Sequence, residues 1–215
     1  MVAYADINKM LQPFGFCLRG GFVEQETYLL VGNVGSDIWK FFGAEHDDWV
    51  EPDPLDSWTR KHLGSLAETL EAEVIYPFEG PKYAPFQMWA MSCDCVYQSP
   101  IGPLIHPTYG LWHAYRGALV MKSVVDGLPE RVDVPNPCKS CTLKPCLTAC
   151  PVNAFTGKAY EVPKCMDYLN KNLEGDCMHN GCLARRACPV GRDYAYKPAH
   201  NAFHMARFRT SAPKT

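Results

Sequence analysis

The run Cys138-Lys139-Ser140-Cys141-Thr142-Leu143-Lys144-Pro145-Cys146-Leu147-Thr148-Ala149-Cys150-Pro151 sets four cysteines in one short stretch and closes it with proline. A second set follows, Cys165-x11-Cys177-x4-Cys182-x5-Cys188-Pro189, so that eight of the 11 cysteines fall between residues 138 and 188. The first ten residues show neither the basic region nor the apolar stretch of a secretion signal, which predicts a cytoplasmic chain. In that reducing setting an odd, dense set of cysteines points to metal rather than disulfides. Thiolates are soft, anionic donors suited to iron or zinc, and short loops let several converge on one centre. Two kinds of centre fit: a pair of [4Fe–4S] clusters, or two structural zinc sites with four cysteines each, for which Cys138-x2-Cys141 is an ordinary ligand pair.

The rest of the chain sets the frame for those cysteines. Its 215 residues are 47% hydrophobic and 20% charged with a formal net charge of -2, which predicts a soluble globular protein of one large domain or two small ones. No apolar run approaches the ~20 residues of a membrane span. The near-neutral balance gives no overall pull toward membrane or nucleic acid, and neither is favoured as a partner.

Residues 1–137 carry only Cys17, Cys93 and Cys95, read as small buried residues rather than ligands. Hydrophobic spacing predicts a helix around Ile7, Met10 and Leu11, a strand over Tyr28 to Gly35, and a helix from Ser36 through Phe42. Further helices are predicted from Asp53 or Asp56 to Leu70 and from Pro85 to Ser92, with strands over Ala72 to Phe78 and Trp112 to Lys122. Strands interleaved with helices favour an α/β layered domain. Three prolines between Pro129 and Pro137 predict the boundary, giving an α/β domain over 1–130 and a cysteine domain with a C-terminal tail over 131–215. In the tail, Ala202, Phe203, Met205, Ala206 and Phe208 predict a partly buried helix over the cysteine sites.

Both cysteine motifs end in Cys-Pro, and their order resembles the bacterial two-cluster ferredoxins, in which the last cysteine of each motif serves the other cluster. That resemblance implies one [4Fe–4S] cluster on Cys138, Cys141, Cys146 and Cys188 and a second on Cys150, Cys165, Cys177 and Cys182. The gaps after Cys141, Cys177 and Cys182 are each two residues longer than the common pattern, and the gap after Cys165 is longer still. Residues 138–190 also resemble the cluster-bearing end of epoxyqueuosine reductase, a corrinoid and iron–sulfur enzyme, which likewise sets a lone cysteine, here Cys165 before Met166-Asp167-Tyr168-Leu169, well ahead of the final group.

A second distinctive stretch is Ile105-His106-Pro107-Thr108-Tyr109-Gly110-Leu111-Trp112-His113-Ala114-Tyr115-Arg116-Gly117. His-Pro sets an extended turn, Gly110 permits backbone closed to other residues, and the aromatics behind it can wall a flat cofactor or simply fill a core. The stretch resembles the signature of the cblC-type cobalamin-processing chaperones, which reductively remove the upper ligand of cobalamin on a fold related to flavin nitroreductases. By that resemblance His106, Tyr109, Gly110, Trp112 and Arg116 are the corrinoid-binding positions, while Leu111 stands where the signature has glycine.

Together the resemblances imply a nitroreductase-related α/β (α+β) layered domain followed by a ferredoxin-like two-[4Fe–4S] domain. The implied activity is an iron–sulfur oxidoreductase that passes electrons to a corrinoid, for cobalamin reduction or upper-ligand removal. Its electron donor would be a ferredoxin or flavodoxin with its reductase. No catalytic residue is assigned. Two alternatives stand beside this: a ferredoxin-like electron carrier whose first domain binds a partner or a flavin such as FMN, and a zinc-stabilised interaction module.

Overall fold

In the computed structural model, residues 2–45 and 52–211 are described. In chain order the first part comprises α1 (Tyr4–Leu11), β1 (Cys17–Val23), β2 (Thr27–Val34), α2 (Trp39–Glu45), α3 (Pro54–Thr69), β3 (Glu73–Ile75), α4 (Phe86–Cys93), β4 (Tyr97–Gln98), β5 (Leu104–Ile105) and β6 (His113–Met121). The second comprises α5 (Pro137–Ser140), α6 (Pro145–Thr148), α7 (Val162–Lys171), α8 (Asp176–Asn180), α9 (Leu183–Arg186) and α10 (Pro198–Ser211). The chain divides into two compact units: residues 1–95 with 113–134, and residues 96–112 with 135–215.

The first unit is built on a four-stranded sheet of order β1-β2-β6-β3. Every neighbouring pair is antiparallel, so the mixture of helix and sheet is α+β rather than the α/β alternation expected from interleaved elements. A three-residue turn between β1 and β2 forces that direction, since parallel neighbours need a long crossover. The central strand β2 carries the apolar run that marked it, with Leu29, Leu30 and Val31 fully buried. Helix α3 starts with Pro54 in its first turn and buries Leu55, Trp58, Leu63, Leu66 and Ala67. Strand β3 is shorter than expected because Pro77, two residues past its end, has no N–H for the ladder.

Strand β1 was not foreseen, and Gly20 is the reason. Its φ is +88°, a Cβ there would meet the Cys93 carbonyl oxygen at 2.5 Å, and the pairing with β2 slips between Leu18 and Gly21. A bulged strand interrupted by Gly-Gly carries no alternating signal. The same strand supplies Arg19, whose Nη2 lies 2.7 Å from Asp94 Oδ2, with the two side chains 3% and 11% exposed. The Tyr115 hydroxyl donates to the same oxygen at 2.7 Å, and the Cys95 N–H donates to Asp94 Oδ1 at 2.7 Å.

The second unit has little extended structure: β4 and β5 pair over two residues each. Its helices are short because prolines start several of them, with Pro137 and Pro145 opening α5 and α6, and because ligand-spaced cysteines set the turns between them. Its core mixes Ile101, Ile105, Leu111, Ala154, Phe155 and Ala184 with Cys146, Cys150 and Cys188. Residues 96–112 group here, whereas the sequence reading left everything before residue 130 in the first domain. Helix α10 occupies the place expected of the tail helix. Among the described residues, no helix is long and apolar enough to cross a membrane.

Candidate functional site

The eight cysteines of the two motifs lie around two separate cavities. Cys138, Cys141, Cys146 and Cys188 line the first, with Pro100, Ile105 and Val190. Cys150, Cys165, Cys177 and Cys182 line the second, with Phe155, Leu169 and Met205. Each quartet thus draws three cysteines from one motif and one from the other. Among the described residues, no three His, Cys, Asp or Glu side chains are grouped to hold a single metal ion; the sulfurs are spread around a cavity.

Burial and mutual repulsion raise six of these thiols. Cys138 is pushed up to about 11, by burial first and then by Cys188, Cys146 and Cys141. Burial likewise raises Cys146, Cys165, Cys177, Cys182 and Cys188. Sulfurs raised in this way rest as neutral thiols and become thiolates only where a cation displaces their protons. Donors are already aimed at them. The N–H groups of Cys146 and Leu147 point to the Cys146 sulfur, and that of Val190 to Cys188. In the second cavity the Ala154 N–H reaches Cys150 Sγ at 3.4 Å, Leu183 N–H serves Cys177, and Ala184 and Arg185 N–H serve Cys182.

The histidine loop abuts the first cavity, whose wall includes Ile105. His106 and Gly110 exchange two backbone hydrogen bonds of 2.8 Å, closing a tight loop between them. The His106 Nδ1 accepts from the Thr108 and Tyr109 N–H groups at 3.0 and 3.2 Å, and its ring stacks on Tyr109 with centroids 4.3 Å apart. A neutral ring held that way carries its proton on Nε2. Gly110 has φ +57°, and a Cβ on it would lie 2.0 Å from the Val190 carbonyl oxygen. The loop is therefore braced, backbone against backbone, on the segment just past Cys188.

Among the solved structures similar to this fold is one of a B12-trafficking protein. It is the crystal structure of the B12-trafficking protein CblC of C. elegans, a homologue of human MMACHC, which superposes with a TM-score of 0.54 at 13% identity over 98% of this chain and 98% of that one. At that identity the likeness is one of fold. The sequence matches no protein-family model and no curated protein.

The five positions singled out in the signature do not share a unit. His106, Tyr109, Gly110 and Trp112 belong to the cysteine unit, and Arg116 to strand β6 of the sheet unit, where its Nε donates to Asn33 Oδ1 at 3.4 Å and Nη1 lies 3.8 Å from Asp56. Leu111 is 1% exposed and fills the core beside Cys146 and Cys150. Trp112 is buried beneath the Arg185 guanidinium, 4.6 Å from its ring centroid, and Arg185 also covers Tyr196 at 4.4 Å while donating to the Leu111 carbonyl. Arg185 and Tyr196 were not foreseen, since a lone Arg or Tyr beside the cysteine motifs carries no spacing signal. Among the other cysteines, Cys93 is buried and pushed up to about 12 by burial and then by Asp94, and Cys17 is raised by burial.

The whole-chain charge conceals a division. The sheet unit holds 18 Asp and Glu against nine Lys and Arg, and the cysteine unit five against 12. The near-neutral total is the sum of an acidic and a basic part.

Proposed function

We propose that this protein is an iron–sulfur oxidoreductase that passes electrons through two [4Fe–4S] clusters to a corrinoid substrate. The observation that carries the reading is the pair of cysteine-lined cavities: each collects four sulfurs, three from one motif and one from the other, as in a crossed two-cluster arrangement. Cys138, Cys141, Cys146 and Cys188 would hold one cluster and Cys150, Cys165, Cys177 and Cys182 the other, in a ferredoxin-like two-cluster domain. When bound, such clusters supply one-electron transfer at potentials tuned by ligands, hydrogen bonds and burial.

The chain's own groups define the surroundings of that transfer. Backbone N–H groups offset the negative charge on the ligand sulfurs, and the apolar walls limit water. The histidine loop, next to the first cavity, is where the corrinoid is bound and reduced. With Nδ1 engaged by two backbone donors, His106 would contribute to corrinoid binding through the tight loop that it fixes. The fold shared with a B12-trafficking protein supports the corrinoid assignment. The setting is cytoplasmic, and the basic cysteine unit suits an acidic one-electron donor protein of the ferredoxin or flavodoxin type.

Anaerobically purified protein is expected to be brown, with about eight irons and eight acid-labile sulfides per chain. Titration with cobalamin under reducing conditions should change the visible spectrum and leave corrinoid on the protein after desalting. Stoichiometric zinc without sulfide overturns the clusters, and clusters without corrinoid retention or reduction leave an electron carrier. His106→Ala should keep full iron and sulfide while corrinoid affinity or reduction falls by up to ~100-fold.

A further inference from the structure

The charges of the cysteine unit are sorted between its two cavities. Glu161, Asp167, Glu174 and Asp176 lie on or beside α7 and α8, and each is paired with a base: Lys164, Lys171, His179 and Arg186 respectively. Cys165 and Cys177 of the second cavity belong to those two helices, and Met205 of α10 lines the same cavity. The segments that build the first cavity, 96–112 and 135–150 with 188–190, contain no acid, and their only Lys or Arg residues are Lys139 and Lys144. Both lysines are exposed. The fifth acid of the unit, Asp193, directly follows Arg192 in the chain.

Between the lysines the chain forms an outward loop. Thr142, Leu143 and Lys144 are exposed, Leu143 at 86%. This is the stretch after Cys141 that runs two residues longer than the common ferredoxin spacing. Lys144 holds φ +39° and ψ +58°, a left-handed backbone uncommon for a residue with a side chain, and it lines the first cavity. Singly exposed leucines are ordinary on protein surfaces. This one is set apart by the lysines around it and by the sulfurs two residues before it, in Cys141, and three after it, in Cys146.

We infer that the 139–144 loop is the docking face for an acidic one-electron donor protein, through which electrons enter the cluster on Cys138, Cys141, Cys146 and Cys188. The inference rests on the two-cluster reading above. Electron-transfer partners meet over small interfaces, and an interface sets an apolar centre within a polar rim. Leu143 supplies the centre, and Lys139 and Lys144 supply a rim complementary to carboxylates. Two lysines on one loop are too short a basic stripe for nucleic acid, which needs a run of phosphate contacts. In the transfer the donor loses one electron and is oxidised, the cluster gains it, and no proton or group moves. The second quartet, lined by α10 and flanked by acids already matched with bases, offers such a donor no surplus positive charge; it exchanges electrons with the first cluster instead.

The test uses the full chain with clusters in place and flavodoxin, an acidic FMN protein, as the probe. Binding of oxidised flavodoxin is measured by titration calorimetry. The bimolecular rate at which reduced flavodoxin bleaches the clusters is followed by stopped flow over a range of salt concentrations. Wild-type rates should fall as salt rises. Lys139→Glu with Lys144→Glu should lower the low-salt rate by roughly tenfold or more while iron and sulfide are retained. Lys164→Glu with Lys171→Glu, the same charge change on α7, should leave the rate within about twofold. Leu143→Ser should weaken binding by about tenfold without altering the salt dependence. Equal slowing by the two double variants, or slowing by neither, overturns the docking face, as does undiminished binding in Leu143→Ser. Competition by transfer RNA that disappears in Lys139→Glu with Lys144→Glu assigns the lysines to nucleic acid and overturns the partner. All of these outcomes in iron-replete protein bear on the inference alone, whereas wild-type protein that takes up no iron and sulfide overturns the two-cluster reading and the inference together.

Discussion

The sheet unit and the cysteine unit bury polar chemistry in opposite ways. In the first, Arg19 and Asp94 meet as a completed pair, with Tyr115 and the Cys95 N–H satisfying the remaining carboxylate oxygen capacity. In the second, sulfurs gather in quartets that burial and mutual repulsion hold as thiols. A four-stranded sheet and a helix with seven buried residues stabilise the first unit by themselves. The second has two-residue strands and several helices of four or five residues, and its core includes would-be ligands. On the two-cluster reading proposed above, the difference is that of one chain folding by ordinary burial in one part and by coordination in the other.

The largest test of this contrast is Cys146→Ala. The variant should lose one cluster, about half of the iron, and with it most of the amide exchange protection around α5 and α6, since a metal site's binding energy is also folding energy. Protection in β2 and β6 should be unchanged. Full iron content, or loss of protection spread over both units, breaks the comparison.

Arg19→Met probes the other side. It leaves Asp94 buried without its cation and should destabilise the sheet unit by about 3–5 kcal/mol, read by denaturant unfolding of holoprotein with tryptophan fluorescence. Iron and sulfide should be retained, and a smaller loss, under about 1 kcal/mol, would show that the pair is not important to the unit.

Gly110→Ala introduces a Cβ against the Val190 carbonyl at a backbone angle that disfavours side chains. A cost of about 1–3 kcal/mol is expected, confined to the cysteine unit, together with a changed visible spectrum from the cluster on Cys188. An unchanged spectrum and stability would mean that the loop after Cys188 yields freely.

The last test varies pH instead of the chain. Because burial and neighbouring sulfurs raise Cys138 to about 11, its thiol is protonated throughout the neutral range and must release its proton to bind iron. Raised thiols elsewhere in the quartets act in the same direction. Metal uptake by the apoprotein should therefore strengthen steadily from pH 6 to 8, by about tenfold per unit for each proton released, with no inflection. An inflection in that window would reveal a thiol whose ionisation is lowered.

The helices and central strands were legible because periodic burial is written locally: Leu29 to Val31 in β2 and Trp58, Leu63 and Leu66 in α3 announce themselves by spacing. Strand β1 was hidden by a Gly-Gly bulge, and the antiparallel direction of the sheet depends on connections that composition does not encode. Similar limits apply to the site. The sequence by itself determined that eight thiols are available at ligand-like spacing and that His106 precedes a proline and a glycine. Tertiary structure decided which four sulfurs face one cavity, drew Cys188 to Cys138 and Cys150 to Cys177, and moved residues 96–112 into the cysteine unit, separating His106 from Arg116. The physical reason is that donor chemistry belongs to the individual side chain, whereas convergence depends on how distant segments close over a shared volume.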